Sequence, residues 1–445
     1  MSTIISFKNI NRLAIPAIVA GIAEPLLSIT DTAIVGNIPD YGTESLAAAG
    51  IVGSFLSALI WILGQTRSAI SAIISQYLGA GKIEEVKTLP AQAIFFNISL
   101  SIIVLLSTVF FVEEIFKLYN ASGLILEYCV AYYDIRVWGF PLTLFTFAVF
   151  GIFRGLQNTF WPMIVALIGA ITNIILDFIL VYGIEGVIPF MGIRGAAWAS
   201  LISQLIMAII VFILLLTKTN VSLKLRFPIN KELGRLVTMS LNLFVRSIAL
   251  NTALYFATSN ATEYGDEYIA AYTIAMNIWM FTAFFIDGYG GAGNILSGKL
   301  LGAKDYKSLW KLSKRVTTYG IFVSLILATF GFIFYEAIGK LFTSEAIVLD
   351  TFYSVFFIVL IVQPINGFAF VFDGIFKGLG EMGYLRNVLL GATFLGFIPT
   401  LYLCNLFDLK LYGIWIAFTV WTLFRGISLI LKFRNKFLPL ITQKG

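Results

Sequence analysis

The 445-residue sequence contains no histidine and only two cysteines. The missing histidine removes the commonest general base, the Ser–His nucleophile pair and the imidazole ligands of most catalytic metal sites. Cys129 and Cys404 fall in different apolar segments without metal-like spacing, so both read as buried apolar filler. Charge is scarce too: Asp, Glu, Lys and Arg make up 12% of the chain, against 59% hydrophobic residues and a mean hydropathy of +0.91. A soluble chain of this size carries about 25% charged residues. No segment is left over for a soluble domain, and no arginine-rich or aromatic motif suggests a nucleic-acid partner. No cofactor is expected. An enzyme is disfavoured, although a carboxylate pair alone does not exclude one.

What the chain has instead is a succession of apolar stretches of roughly 20 or more residues, each long enough to cross a hydrocarbon core of about 30 Å. They are too long for barrel strands of about 9–11 residues. The expected fold is therefore an all-α polytopic membrane protein with twelve transmembrane helices, at 9–36, 45–79, 88–112, 125–155, 159–183, 192–217, 233–260, 267–300, 311–338, 348–377, 384–406 and 411–433. The first is too long for a signal-peptide core and lacks a cleavage signature, so it is expected to be retained. With the N-terminus inside, most of the 30 lysines and arginines fall in cytoplasmic loops. Lys117, Arg194, Lys340 and Lys410 lie outside, and Arg67, Arg136, Arg246 and Arg425 lie within spans. This bias predicts that both termini are cytoplasmic, in a plasma or inner membrane. It also accounts for a pI near 9.1 through attraction to anionic lipid heads rather than to another polyanion.

The chain repeats itself. "GIFRGL" at 151–156 returns as "GIFKGL" at 374–379, "YGTESLAA" at 41–48 as "YGDEYIAA" at 264–271, "LGA" at 78–80 as "LGA" at 301–303, and Pro141 as Pro364, all at an offset of 223 without a gap. Six spans per copy is an even number, so the copies enter the membrane in the same direction. They form two six-helix bundles related by a pseudo-twofold axis along the membrane normal. The expected domains are 1–217 and 233–445, joined by a polar cytoplasmic linker at 218–232. Such a pair can open a cleft to either side by rocking. Arg154 and Lys377, which end the repeated motif, read as positive-inside anchors.

Departures from the repeat show where chemistry was added. An intramembrane charge costs at least about 2.5–3.5 kcal/mol on insertion scales, so each needs a reason. Asp31, in "PLLSITDTAIVG", and Asp177, in "TNIILDFILVYG", sit at similar depth near the outer ends of the first and fifth spans. Asn173 lies one turn before Asp177, and Ser200 in the sixth span reaches a comparable level. The same offset puts Leu254, Gly396 and Thr400 opposite Asp31, Asn173 and Asp177, and Phe418 stands opposite Ser200 once five residues of the preceding loop are removed. Two nearby carboxylates repel and are suited to sharing a proton. With the oxygens of Asn173 and Ser200 they also make a hard-oxygen site suited to Na⁺. The alternative is that each acid is merely hydrogen-bonded to neighbours such as Thr30 and Thr32. Glu24, beside Pro25, reads as a structural ion pair with Arg67. Asp287 and Asp373 lie closer to the cytoplasmic side, with Arg246 and Arg425 as candidate partners. For them, a structural pairing and a role in the substrate path stand equal.

These stretches, with "FTAFFIDGYGGAGN" and "FDGIFKG", resemble the MATE (multidrug and toxic compound extrusion) transporters, and the DinF-like branch most closely. The resemblance covers essentially the whole chain. It implies cation coupling at Asp31, with Asp177 and Asn173 on the fifth span, a hydroxyl at Ser200, and a bend of the first span at Pro16. Pro25 offers a second place to bend. The acidic residues of the NorM-type branch in its seventh and tenth spans have no match here. The function this implies is a secondary antiporter, driven by inward H⁺ or Na⁺, that exports cationic or amphipathic organic compounds by alternating access and works as a monomer in the lipid bilayer. A flippase for a lipid-linked precursor is the alternative. It would need a large basic cavity, whereas most lysines and arginines here are in loops.

Overall fold

The computed structural model describes residues 5–39 and 41–442, with the side chains of residues 24, 25 and 27–29 outside that description. Among the described residues there is no strand, only an isolated antiparallel bridge between Ile184 and Ile188. All twelve expected spans are present as helices. Polar side chains such as Thr66, Asn97, Ser101, Gln363 and Asn366 are buried, while Phe110, Phe212, Phe332 and Phe357 are exposed. That inversion is what a lipid solvent selects, since the bilayer core offers no partner to a polar group.

The chain forms two compact units. One comprises residues 19–74 and 82–237. It holds the C-terminal part of α1 (Phe7–Gly36), α2 (Gly42–Leu63), most of α3 (Thr66–Gly79), α4 (Leu89–Val109), α5 (Val112–Leu118), α6 (Gly123–Arg136), α7 (Gly139–Gly155), α8 (Phe160–Tyr182) and α9 (Gly192–Lys218). The other comprises residues 1–18, 75–81 and 238–445. It holds most of α10 (Lys231–Tyr264), then α11 (Asp266–Gly302), α12 (Tyr306–Ile333), α13 (Tyr335–Phe342), α14 (Ala346–Leu379), α15 (Met382–Gly391), α16 (Ile398–Leu406) and α17 (Lys410–Thr442). The helix α1 passes from one unit to the other between Ile18 and Val19, just beyond Pro16.

Two spans change their helical form beside a proline. The fourth span is bent by 48° between α6 and α7, next to Pro141, which has no N–H to continue the ladder. Its repeat partner Pro364 lies inside α14 without a break. In the eleventh span a π-helical segment, Ala392–Phe397, precedes Pro399 at the start of α16 and absorbs the lost hydrogen bond.

The repeated motif is a helix contact built twice. A Cβ on Gly151 would lie 2.7 Å from the Arg67 carbonyl oxygen, and one on Gly155 would lie 3.2 Å from that of Ser71. In the other unit a Cβ on Gly374 would lie 2.1 Å from the Gly290 oxygen, and one on Gly378 would lie 2.1 Å from that of Asn294. The four pairs are equivalent under the 223-residue offset. In both copies the G-x-x-x-G spacing lets one backbone rest on the next, as small residues do in membrane bundles. The end of α3 repeats the theme inside the second unit. Gly79 packs on the Lys299 carbonyl and Gly302 on that of Gln76, with 1.8 Å left for a Cβ in each case. Lys377 is not a simple surface anchor, because its ammonium pairs with Asp373 at 3.2 Å. Gly374→Val is expected to cost about 1–3 kcal/mol through forced separation of α11 and α14. The midpoint of thermal unfolding of the purified protein should fall, whereas Gly50→Ala, with nothing within 4 Å of the new methyl, should leave it in place. A Gly374→Val protein that melts with the wild type would contradict the contact.

Candidate cation site and a buried basic cluster

Three helices of the first unit carry the candidate cation site. On α8, Asn173 and Asp177 are one turn apart and share a face, and both are buried. The Asn173 Nδ2 donates to Asp177 Oδ2 at 2.5 Å and to Asp31 Oδ1 of α1 at 3.2 Å. The depth of α1 against α8 is held by the Tyr182 hydroxyl, which donates to the Ile34 carbonyl at 2.9 Å, one turn past Asp31. The two carboxylates therefore meet at one amide. While both are ionised neither can donate to the other, and a proton or a cation between them would relieve their repulsion. Asp177 Oδ1 is buried and receives no hydrogen bond from any donor present. Thr30 does not serve Asp31, since its hydroxyl donates to the Leu26 carbonyl.

Ser200, on α9, is buried beside the Tyr132 phenol, and its Oγ lacks a well-formed hydrogen bond. Ser203, one turn further, donates to the Asn173 side-chain oxygen at 3.2 Å or to the Ser200 carbonyl at 2.9 Å. The α6 helix adds Tyr132 and Arg136. The guanidinium lies over the Tyr132 ring at 5.7 Å, close enough for its charge to act on both carboxylates. Sequence reasoning missed Ser203, Tyr132 and Arg136. The i, i+3 spacing from Ser200 was a signal for Ser203, and the intramembrane charge was one for Arg136.

Of the other expected residues, Pro16 lies within continuous α1. Glu24 and Pro25 have side chains outside the description, so the Glu24–Arg67 pairing lies outside it too. Arg67 sits over the Phe147 ring at 5.0 Å.

In the second unit the backbone crossing of Gly290 and Gly374 brings α11 against α14. Asp373 there is buried among three cations: Arg246 of α10 at 2.6 Å, Lys377 at 3.2 Å and Arg425 of α17 at 3.5 Å. The Arg425 guanidinium is sandwiched by Trp421 at 4.4 Å and Phe370 at 5.1 Å. Asp287 makes no ion pair within 4 Å among the described residues and is exposed in the middle of α11. The expected partners therefore sort unequally, with both arginines on Asp373 and neither on Asp287. Lys377 is the member that sequence reasoning missed.

Residues 16–179 and 243–403 each match the MatE family model, one match per copy of the repeat. DNA damage-inducible protein F of Escherichia coli is 26% identical over 97% of this chain and 92% of its own length. Protein DETOXIFICATION 43 of Arabidopsis thaliana is 28% identical over 67% of this chain, which spans only 55% of that relative. Among solved structures, an outward-facing multidrug resistance transporter of the MATE family superimposes with a TM-score of 0.89 at 22% identity, covering 98% of this chain and 96% of that one. Together with the duplicated helical architecture, these matches place the chain in the MatE family of multidrug and toxic compound extrusion transporters.

Proposed function

We propose that the protein is a secondary antiporter that exports organic compounds from the cytoplasm, driven by inward movement of one monovalent cation per cycle through the Asp31–Asp177 pair. The observation that carries this reading is the meeting of the two carboxylates under a single donor, Asn173. Two carboxylates faced by one guanidinium, Arg136, leave one negative charge uncompensated, and one H⁺ or Na⁺ neutralises it. The group taken up is the coupling ion, not a resident cofactor. The site lies in membrane-spanning helices, and the termini are assigned to the cytoplasm by the lysine and arginine bias.

The orientation of Asn173 favours the proton. With its amide nitrogen toward the carboxylates it offers a donor, not an oxygen, to whatever lies between them. Sodium would require the amide to rotate so that its oxygen joins Asp31, Asp177 and the Ser200 hydroxyl, a change of one side-chain torsion. Occupation of the site removes charge repulsion between α1 and α8. The prolines at 16 and 25 each leave a carbonyl of α1 without its helical donor, which lets that helix bend in response. A flippase for lipid-linked precursors is not favoured, since the family is one of drug exporters.

In proteoliposomes with pH and Na⁺ gradients imposed separately, export of a fluorescent organic compound should follow one of the two gradients. Asp31→Asn and Asp177→Asn should each lower it to background while inserting normally. Export that survives both substitutions would sink the coupling mechanism. Arg136→Gln should act in the opposite sense on binding. Removing the competing charge should tighten apparent cation affinity roughly tenfold, equivalent to about 1.4 kcal/mol, and slow turnover by retaining the ion. A weaker affinity would show that Arg136 has another role.

A further inference from the structure

The coupling chemistry described above leaves the basic cluster of the second unit unused, and that cluster is out of balance. Arg246, Lys377 and Arg425 face Asp373, with Asp287 close enough for its charge to act on Lys377 and Arg425. Three cations against two carboxylates leave one positive charge in the membrane interior. Uncompensated buried charge is among the most destabilising features a fold can carry. A purely structural knot would be expected to balance. Two further observations point to a ligand. Arg246 is 7% exposed, yet its Nε–H has no acceptor. The cluster is also not sealed: the Lys377 side chain retains 18% of its accessible surface and Asp287 is exposed, although both are in membrane-spanning helices. In hydrocarbon such exposure is tolerated only toward a water-filled space.

We propose that Arg246, Lys377 and Arg425 form a binding site for an organic carboxylate, with Asp373 as the resident counter-ion that holds the three cations in place. A monoanion closes the charge balance. A carboxylate also matches the fork of a guanidinium, which presents paired N–H donors in one plane. Phe370 and Trp421, both buried, flank Arg425 and hold its guanidinium in place. Asp373 occupies one face of each cation and so prevents the cluster from repelling itself apart when empty. If the ligand is cargo, a step that rests on the export reading above, the exported compound is an acidic or zwitterionic amphiphile rather than a simple cation.

The test uses the full-length purified protein in detergent, with benzoate as the carboxylate, trimethylphenylammonium as the cation of similar size, and chloride as the inorganic anion. Trp421, 4.4 Å from the Arg425 guanidinium, is the reporter, and Trp421→Phe identifies its share of the fluorescence. Benzoate should quench that share saturably. Its affinity should fall tenfold or more in Arg246→Gln, the loss expected for one charge-assisted hydrogen bond. It should stay near the wild-type value in Gly50→Ala, which touches neither cluster, and because the assay imposes no gradient, failure here and failure of cation coupling are read separately. Because Arg246→Gln leaves Asp373 with one partner fewer, the pair Arg246→Gln/Asp373→Asn and the single Lys377→Gln serve as second tests, each expected to weaken benzoate as well. The proposal is overturned by absence of saturable benzoate binding, by undiminished affinity in folded Arg246→Gln and Lys377→Gln, or by equal binding of trimethylphenylammonium. Chloride displacing benzoate with the same affinity would overturn the organic part of the assignment.

Discussion

An ionisable side chain in hydrocarbon has to find its counter-charge inside the protein, because the bilayer supplies neither water nor salt to screen it. Among the described residues two clusters leave that rule unfinished. In the first unit Asp31 and Asp177 share Asn173 and face one guanidinium, so one negative charge is unmet. In the second unit three cations face Asp373, with Asp287 nearby, so one positive charge is unmet. Each imbalance is a reason for something small and charged to enter. A proton or sodium ion suits the first, and an anionic group suits the second.

The rest of the structure keeps these charges where they are. Glycines at 151, 155, 374 and 378 let whole helices lie backbone against backbone, in the same way in both copies. In the second unit that contact puts Asp287 and Asp373 on adjoining helices. In the first unit the Tyr182–Ile34 hydrogen bond sets the depth of Asp31 against Asp177. Dense packing turns an approximate sequence alignment into two carboxylates that meet at one amide.

Much of this was legible in the sequence, and the reason lies in the membrane. Apolar length alone fixes a span, and a gapless repeat fixes the even division of spans, so the twelve helices and their approximate ends followed directly. The repeat also exposed Asp31, Asn173, Asp177 and Ser200 as residues without a copy, and the meeting of the first three could be argued from helix depth. Side-chain direction was not legible. Whether Arg246 and Arg425 turn to Asp287 or Asp373 depends on rotation of α10 and α17 about their axes, which a hydropathy pattern barely constrains. Lys377 looked like an anchor because its position at a span end is correct for one, yet its stem turns inward to the carboxylate one turn earlier. The different fates of Pro141 and Pro364 were likewise hidden, because a proline states that a hydrogen bond is lost and not how neighbouring helices absorb the loss.

The central claim is that Asp31 and Asp177 act as one unit that takes up a single positive charge. Infrared difference spectroscopy of the purified protein, followed through the carboxylic-acid carbonyl band as pH or Na⁺ concentration is stepped, tests this most directly. The account predicts one protonated carboxyl in the membrane interior that appears or is displaced as a single event, and whose signal vanishes in Asp31→Asn and in Asp177→Asn alike. A band that survives in either variant, or two independent carboxyl signals titrating apart, would contradict it.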